Sequence, residues 1–513
     1  MKLRTAAAVL AFAASATVAP EAAYTAEAYR LILPEPAGDP ITLTGHDLTI
    51  EQLAAIARQG QPVEISPEVR DHQADARSLL LEGLAEGVPI QGFEADRAES
   101  QARLAAAFRH VAVPGAPEIM DEAVVRAAMA VRANTLVYQP VTAPVQQMLL
   151  DFLNDRITPV VAEPGGPIGP GQGPMANIAA AMAGFGDVYY RGTRMPASRA
   201  INEAGLTPVS PADFDDRGLI DTDAFEIART ALLADRGRRA LEWADIIFAM
   251  DMLGLSASPA PLSLPAQANR PYQWSAWNAA RVLALIKGSY LFDGEPGTPP
   301  RTYPESLAPS LPGQGAAWLA WGALRDTVLV ALNSSDQSPV FRVGLSPRES
   351  RELGTAQMMK FYVKGGAIEG GKKGFVVPAT NQSAYPLTLM AASFAEGLGE
   401  LSSAVAHRIP NLSTINPGDH AGLSGALDAL DRLLADDIGN AVALMDGQAK
   451  EYPGRQFGEV PAAVWADFHA APGGGQSALD FLRTRQAASY MPDAEPPPGA
   501  DAPIPLAQEK IRR

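Results

Sequence analysis

Residues 224–254 read AFEIARTALLADRGRRALEWADIIFAMDMLG. Helical periodicity persists over the whole stretch, which is longer than most helices of globular proteins. Segments of the same periodicity lie on both sides of it. Before it they fall at 71–87, 97–110, 119–136 and 143–155, and after it at 274–291, 315–333, 383–406 and 422–446. Helices of such length bury their apolar stripes against one another, so the expected fold class is all-α, a bundle of long parallel and antiparallel helices. Near the start of the chain, Thr49 and Gln52 form a capping box for TIEQLAAIARQG, with Leu48, Ile50, Leu53 and Ile56 on one face and Gly60 as the stop.

Two stretches break the helical pattern. Pro159 to Pro174 is loaded with Gly and Pro, and Lys364 to Thr380 carries Gly365, Gly366, Gly370, Gly371 and Gly374. Both are expected to be loops or short irregular strands, and long ordered loops in compact domains are more often functional than plain connectors. No repeat and no dividing linker is visible between residues 29 and 490, which are read as one helical domain. The tail 491–513, with Pro496-Pro497-Pro498 and little apolar content, is expected to be flexible.

The chain has 513 residues, no Cys, 41 Lys+Arg against 57 Asp+Glu, and 47% hydrophobic residues. It can bury a large core without disulfides, and thiolate metal sites, thiol nucleophiles and redox pairs are excluded. A net charge of −16 opposes nucleic-acid and anionic-membrane partners at long range.

The N-terminus reads as an export signal. Lys2 and Arg4 precede the uncharged run Thr5–Ala19, and Ala26-Glu27-Ala28 fits a small-x-small cleavage site. That run is shorter than the roughly 20 residues a membrane-spanning helix needs. Removing residues 1–28 takes away Lys2, Arg4, Glu21 and Glu27, so the mature charge is unchanged. The expected location is the periplasm or outside the cell, with no membrane contact after cleavage.

Familiar catalytic motifs are missing: there is no GxSxG, P-loop or HExxH. The histidines 46, 72, 110, 407, 420 and 469 show no metal-ligand spacing, so no metal is expected. Residue chemistry alone stops at an exported, mainly helical protein.

Eight pieces, in order along the chain, resemble the aromatic amino acid lyase family, which includes histidine and phenylalanine ammonia-lyases. LTGHDLTIEQLAAIAR (43–58) is similar to its opening segment, FRHVAVPGAP (108–117) to its histidine turn, and RANTL (132–136) to its R-x-N-x-L helix. LNDRITPVV (153–161) leads into the Gly-rich loop. NSSDQSPVF (333–341) resembles D-N-P-x-F, TNQSAYP (380–386) resembles G-N-F-H-G-x-P, HRI (407–409) resembles the R-R-hydrophobic step, and NPGDH (416–420) resembles N-Q-E-D-H. The resemblance implies the helical bundle of the ammonia-lyase/fumarase type, assembled as a homotetramer whose sites collect residues from three subunits.

It also implies a chemistry. In the family an Ala-Ser-Gly triad cyclises and dehydrates to methylidene-imidazolone, an electrophile that turns the substrate amino group into a leaving group, while a tyrosine removes the β-proton. Here the triad position falls on Pro170-Gly171-Gln172 or on Gly171-Gln172-Gly173, and neither has a hydroxyl or thiol to eliminate. Proline at the first place further restricts the backbone. The prosthetic group is therefore expected to be absent, and no other cofactor is expected.

Other positions depart as well. VPIQGFEADR (88–97) resembles the family's tyrosine loop but has no tyrosine, Asp223 falls where the electrophile-contacting Asn is expected, and Gly418 stands in place of Glu. In RTYPESLAP (301–309) Tyr303 is kept, while the carboxylate-holding Arg is replaced by Ala308 or displaced to Arg301. The catalytic candidates are His110, Tyr303 and Asp223, and the substrate-binding candidates are Asn381, Arg408 and Asn134. Each also has an ordinary structural reading: a packed His110 or Tyr303, asparagines satisfying buried backbone, and Arg408 as an ion-pair partner.

Two functional classes stay open. One is an enzyme acting on a small aromatic or imidazole-type acid by acid–base chemistry without the prosthetic group. The other is a non-catalytic binding protein or scaffold. An orthodox ammonia-lyase would need the missing triad.

Overall fold

The computed structural model describes residues 38–93, 102, 120–162, 173–210, 214–294, 301–381, 384–410, 422–471, 478–491 and 496–499. The segments 1–28 and 163–172, His110 and most of the expected helix 97–110 lie outside the described residues.

The helices that organise the molecule are α1 (Ile50–Ala54), α2 (Pro67–Glu86), α3 (Glu122–Thr135), α4 (Ala143–Asn154), α5 (Pro174–Met182), α6 (Ala224–Gly254), α7 (Gln273–Leu285), α8 (Ser310–Leu332), α9 (Tyr385–Arg408), α10 (Gly422–Glu451) and α11 (Glu459–Ala470). The all-α reading holds, with α6 at the centre of the bundle. From Ala240 to Gly254 every residue of α6 is buried, as expected of a helix enclosed on all sides. It packs on α3, α8 and α10, while α9 packs on both α8 and α10 and α7 lies on α8. Close approach is permitted by Gly237, where a β-carbon would sit 2.5 Å from the Phe394 ring.

Local chemistry sets the helix ends. Thr49 and Gln52 make both capping-box bonds at α1, a π-helical turn Ala55–Gln59 follows, and Gly60 closes it at φ +70°. The segment expected to run from 274 to 291 ends instead at Leu285. Gly288 adopts φ +75°, and only a 3₁₀ turn, Tyr290–Phe292, follows. Helix α5 was not expected: its short Ala-rich run has no apolar stripe to reveal it, and Pro174 at its first position starts it.

The strands are short and peripheral. β1 (Ile41–Leu43) pairs in parallel with β2 (Val63–Ile65); β3 (Thr158–Pro159), β4 (Asp187–Tyr190) and β5 (Thr193–Pro196) form an antiparallel sheet; and β6 (Val340–Val343), β7 (Tyr362–Val363) and β8 (Gly374–Val377) form another in the order β6-β8-β7. This last sheet covers a separate small core of Leu79, Leu80, Ile90, Phe93, Phe341 and Val376. The glycine-rich turn between β7 and β8 is tied to α2 by carboxylates. Glu86 accepts from the amides of Lys364 (3.0 Å) and Gly365 (2.7 Å), Glu82 accepts from Ala367 and Ile368 (2.9 Å for the latter), and Lys372 pairs with Asp75 at 2.9 Å. In the tail, the Pro498 carbonyl accepts from Arg325 of α8 at 3.3 Å.

No described helix is long and apolar enough to cross a membrane.

Candidate functional site

A cavity of about 410 Å³ opens where three elements meet: the start of α6, the end of α8 with the residues after it, and the start of α9. Ile227, Val330, Ala331 and Leu387 supply its apolar wall, and Asp223, Asp336, Asn381, Thr327, Ser334 and Ser335 its polar edge. Thus two of the sequence candidates, Asp223 and Asn381, share one cavity.

Asp223 sits directly before α6. Its backbone N–H donates to Asp336 Oδ2 at 2.7 Å, and the Thr222 hydroxyl donates to the same oxygen. Behind Asp336 stands Arg132 of α3, wholly buried, whose Nη1 lies 3.4 Å from Asp336 Oδ1 and which also donates to the Gly218 carbonyl. Gln337 adds hydrogen bonds to the carbonyls of Arg217 and Asp221. The turn that presents Asp223 is therefore fixed from two sides. Burial, with the neighbouring Asp336 and Glu226, raises the Asp223 carboxyl above the ordinary aspartate range.

Arg132 and Asp336 were not among the site candidates. Arg132 opens the RANTL segment and Asp336 lies in NSSDQSPVF, but only the fold reveals that these two motifs are a pair.

The remaining candidates lie elsewhere. Asn134 is buried; its Oδ1 accepts from the Gly45 amide at 2.9 Å, and its Nδ2 donates to the Leu332 carbonyl at 2.8 Å and to Asn333 Oδ1 at 3.3 Å. Those bonds stitch the N-terminal segment to α3 and to the end of α8. Arg408 is also buried. It donates to Asp437 Oδ2 at 2.6 and 3.1 Å, approaches Asp251 Oδ2 at 3.2 Å, and stacks over Phe248. The Tyr303 hydroxyl donates to the Leu307 carbonyl at 3.2 Å, and burial pushes its pKa up to about 12. Asn381 lies at the mouth of the cavity, donating to the Ser335 carbonyl at 3.3 Å. Tyr303 does not line this cavity.

Pro170, Gly171 and Gln172 lie outside the described residues. Gly173 is described and is extended, preceding α5. Among the described residues no group of three or more His, Cys, Asp and Glu could hold a metal ion.

The chemistry available here is that of a small, open, largely apolar pocket with one raised carboxyl at its edge. Arg132 and Asp336 would hold that carboxyl in place.

Residues 48–431 match the family described as aromatic amino acid lyase. A histidine ammonia-lyase of Stigmatella aurantiaca is 26% identical over 502 residues, covering 92% of each chain. One from Treponema denticola is 26% identical over 313 residues, and there the chain spans 61% of the relative's length. Among solved structures, the ergothioneine-degrading ergothionase of Treponema denticola, in complex with desmethyl-ergothioneine sulfonic acid, superposes with a TM-score of 0.69 at 18% identity, over 87% of this chain and 99% of that one. The histidine ammonia-lyase of Trypanosoma cruzi superposes with a TM-score of 0.69 at 17% identity, over 89% and 96%. The structures share the fold, and the match over most of the sequence gives the kinship: this chain belongs to the aromatic amino acid lyase family.

Proposed function

We propose that this chain is an exported, homotetrameric member of the family that acts on a small aromatic or imidazole-type acid by acid–base chemistry, without methylidene-imidazolone. One observation carries the reading. From Pro159 to Gly192 the sequence contains no Ser, Thr or Cys, so no residue of the loop or its flanks can lose water to form the electrophile. The prosthetic group does not fit the residues present.

Asp223 is the proton-transfer group on this reading. Its raised pKa brings a carboxyl closer to neutral pH, and its position at the cavity edge puts it within reach of a bound ligand. The second reading, a protein that binds without turnover, draws on Tyr303 and Arg408, both engaged within their own chain.

Support for assembly comes from the outer face of α8 and α9. Ala316, Leu319, Ala323 and Val330 recur at helical spacing and are exposed, with the charged Asp326 between the last two, and Tyr385, Leu389 and Ala392 of α9 are exposed as well. Val330 also lines the cavity, so a second copy seated on this stripe would close the site.

Intact-mass measurement of the mature chain tests the central claim. We expect the full sequence mass and no ammonia release from phenylalanine, tyrosine or histidine. A mass lower by about two waters overturns it. Light scattering should give about four times the mature mass.

A further inference from the structure

Resting on the reading that this chain assembles, we infer that the lysine-rich lobe between β6 and β8 seats on the acidic part of α9 of another copy. The lobe is where the chain reverses its charge. Of the eight lysines in the sequence, four fall within residues 360–373, and residues 342–373 hold seven Lys+Arg against three Asp+Glu in a chain of net charge −16. Lys372 is committed to Asp75 at 2.9 Å. Arg348, Arg351, Lys360, Lys364 and Lys373 are exposed, and among the described residues they have no acidic partner. Two of these cations are crowded together. Val363 pairs with Gly374 at the last step of β7 and β8, so Lys364 and Lys373 leave that step side by side, and a β-carbon at Gly365 would lie 3.5 Å from that of Lys373. Like charges so placed oppose each other. Glu82 and Glu86, by accepting from the amides of Lys364, Gly365, Ala367 and Ile368, hold the turn in this form.

The opposite arrangement stands on α9. Glu396 and Glu400 lie one turn apart, both exposed and both without a partner among the described residues. A like-charge pair at this spacing weakens its own helix. The two continue the exposed row of Tyr385, Leu389 and Ala392. The lobe has apolar surface to match, since Met359 is exposed and Phe361 and Tyr362 are half-buried beside Lys360. Copies that each carry −16 repel one another at long range, so an assembly needs points where opposite charges meet. A pair of lysines over a pair of glutamates removes both like-charge conflicts at once, and an apolar centre with a charged rim is the composition of a protein interface. Pro386 and Leu387 of the same helix line the cavity, so the contact brings a segment of the neighbouring copy to the helix that forms one side of the site.

Zero-length carbodiimide cross-linking of the full mature chain in its native assembly tests this, with isotope-labelled and unlabelled chains assembled together so that links between copies are told from links within one. We expect links from Lys364 or Lys373 of one copy to Glu396 or Glu400 of another. Lys364→Glu with Lys373→Glu places like charge against like, and analytical ultracentrifugation should show the dissociation constant of the assembly raised about a hundredfold or more. Adding Glu396→Lys and Glu400→Lys to that chain should restore the parent assembly. Links confined to one copy or to other carboxylates, a reversed pair that assembles like the parent, or a swap that does not restore assembly would overturn the contact. So would phosphatidylglycerol vesicles or polyphosphate that bind the parent and not the reversed pair while the assembly stays intact, since the lobe would then serve a polyanion. A monomeric parent overturns the assembly reading and the contact with it, whereas an assembled parent indifferent to these changes overturns the contact alone.

Discussion

Asp223 and Asp336 meet through one hydrogen bond, from the backbone N–H of the first to Oδ2 of the second at 2.7 Å. The same carboxylate faces Arg132, whose side chain is completely buried. Through this one group α3 holds the entry of α6 and the edge of the cavity.

Removing the Asp336 carboxylate should therefore be costly. Asp336→Ala leaves the buried Arg132 guanidinium with only Asp221, the weaker of its two counter-charges, and loss of one partner of such a pair typically costs about 3–5 kcal/mol. Asp336→Asn keeps the hydrogen bond to the Asp223 amide and should cost less. Chemical denaturation of the two variants gives the order. Equal stability of Asp336→Ala and the parent would mean that the pair does not hold the turn.

The turn between β7 and β8 should depend on Glu82. The amide of Ala367 is the leading cause that lowers the Glu82 pKa, so the native turn favours the carboxylate. Its stabilising contribution is present above the ordinary glutamate pKa and is lost as pH falls through the lowered native value. Glu82→Gln should accelerate amide hydrogen exchange at Ala367 and Ile368 while leaving α6 protected. Unchanged exchange would show that the turn is held by other contacts.

At the helix crossing, Gly237→Ala places a methyl group against the Phe394 ring. Overpacking of this kind costs about 1–3 kcal/mol, more than the small gain from helix propensity. A thermal shift to lower temperature is expected, and Phe394→Leu in the same chain should recover part of it.

How much of this could be read from the sequence depends on the range of the interaction. The span of α6 and the capping box of α1 are local, and their signals lie in adjacent residues: periodicity over 224–254, and Thr49 with Gln52. Asp223 could be singled out because a motif position carries an unexpected residue type. Its support could not, because Arg132 and Asp336 are separated by 204 residues and nothing local joins them. Arg408 illustrates the same limit. Its sequence neighbours allow either an anion clamp or an ion pair, while its partners Asp251 and Asp437 come from α6 and α10. The π-helical turn at Ala55–Gln59 and the β6-β8-β7 sheet likewise depend on packing that no short window contains.

The buried group of Arg408, Asp251 and Asp437 leads to the last prediction. Two carboxylates share one guanidinium, and among the described residues no second cation pairs with them. Burial raises both carboxyl pKa values; Asp437 reinforces the rise at Asp251, which goes well above the usual range, and Arg408 opposes it at each. Between the ordinary aspartate pKa and the raised native value, the folded chain holds more protons than the unfolded one. Stability must then fall as pH rises through that window and stay lower above it. Asp251→Asn removes the proton uptake and keeps the shape, so its stability should vary less with pH and exceed the parent's at the alkaline end. Arg408→Met does the opposite, stranding two buried carboxylates at a cost of about 3–5 kcal/mol that grows with pH. Urea denaturation from pH 5 to pH 9 separates the cases, and a parent and an Asp251→Asn variant with parallel pH profiles would show that the raised Asp251 carboxyl does not set the pH dependence.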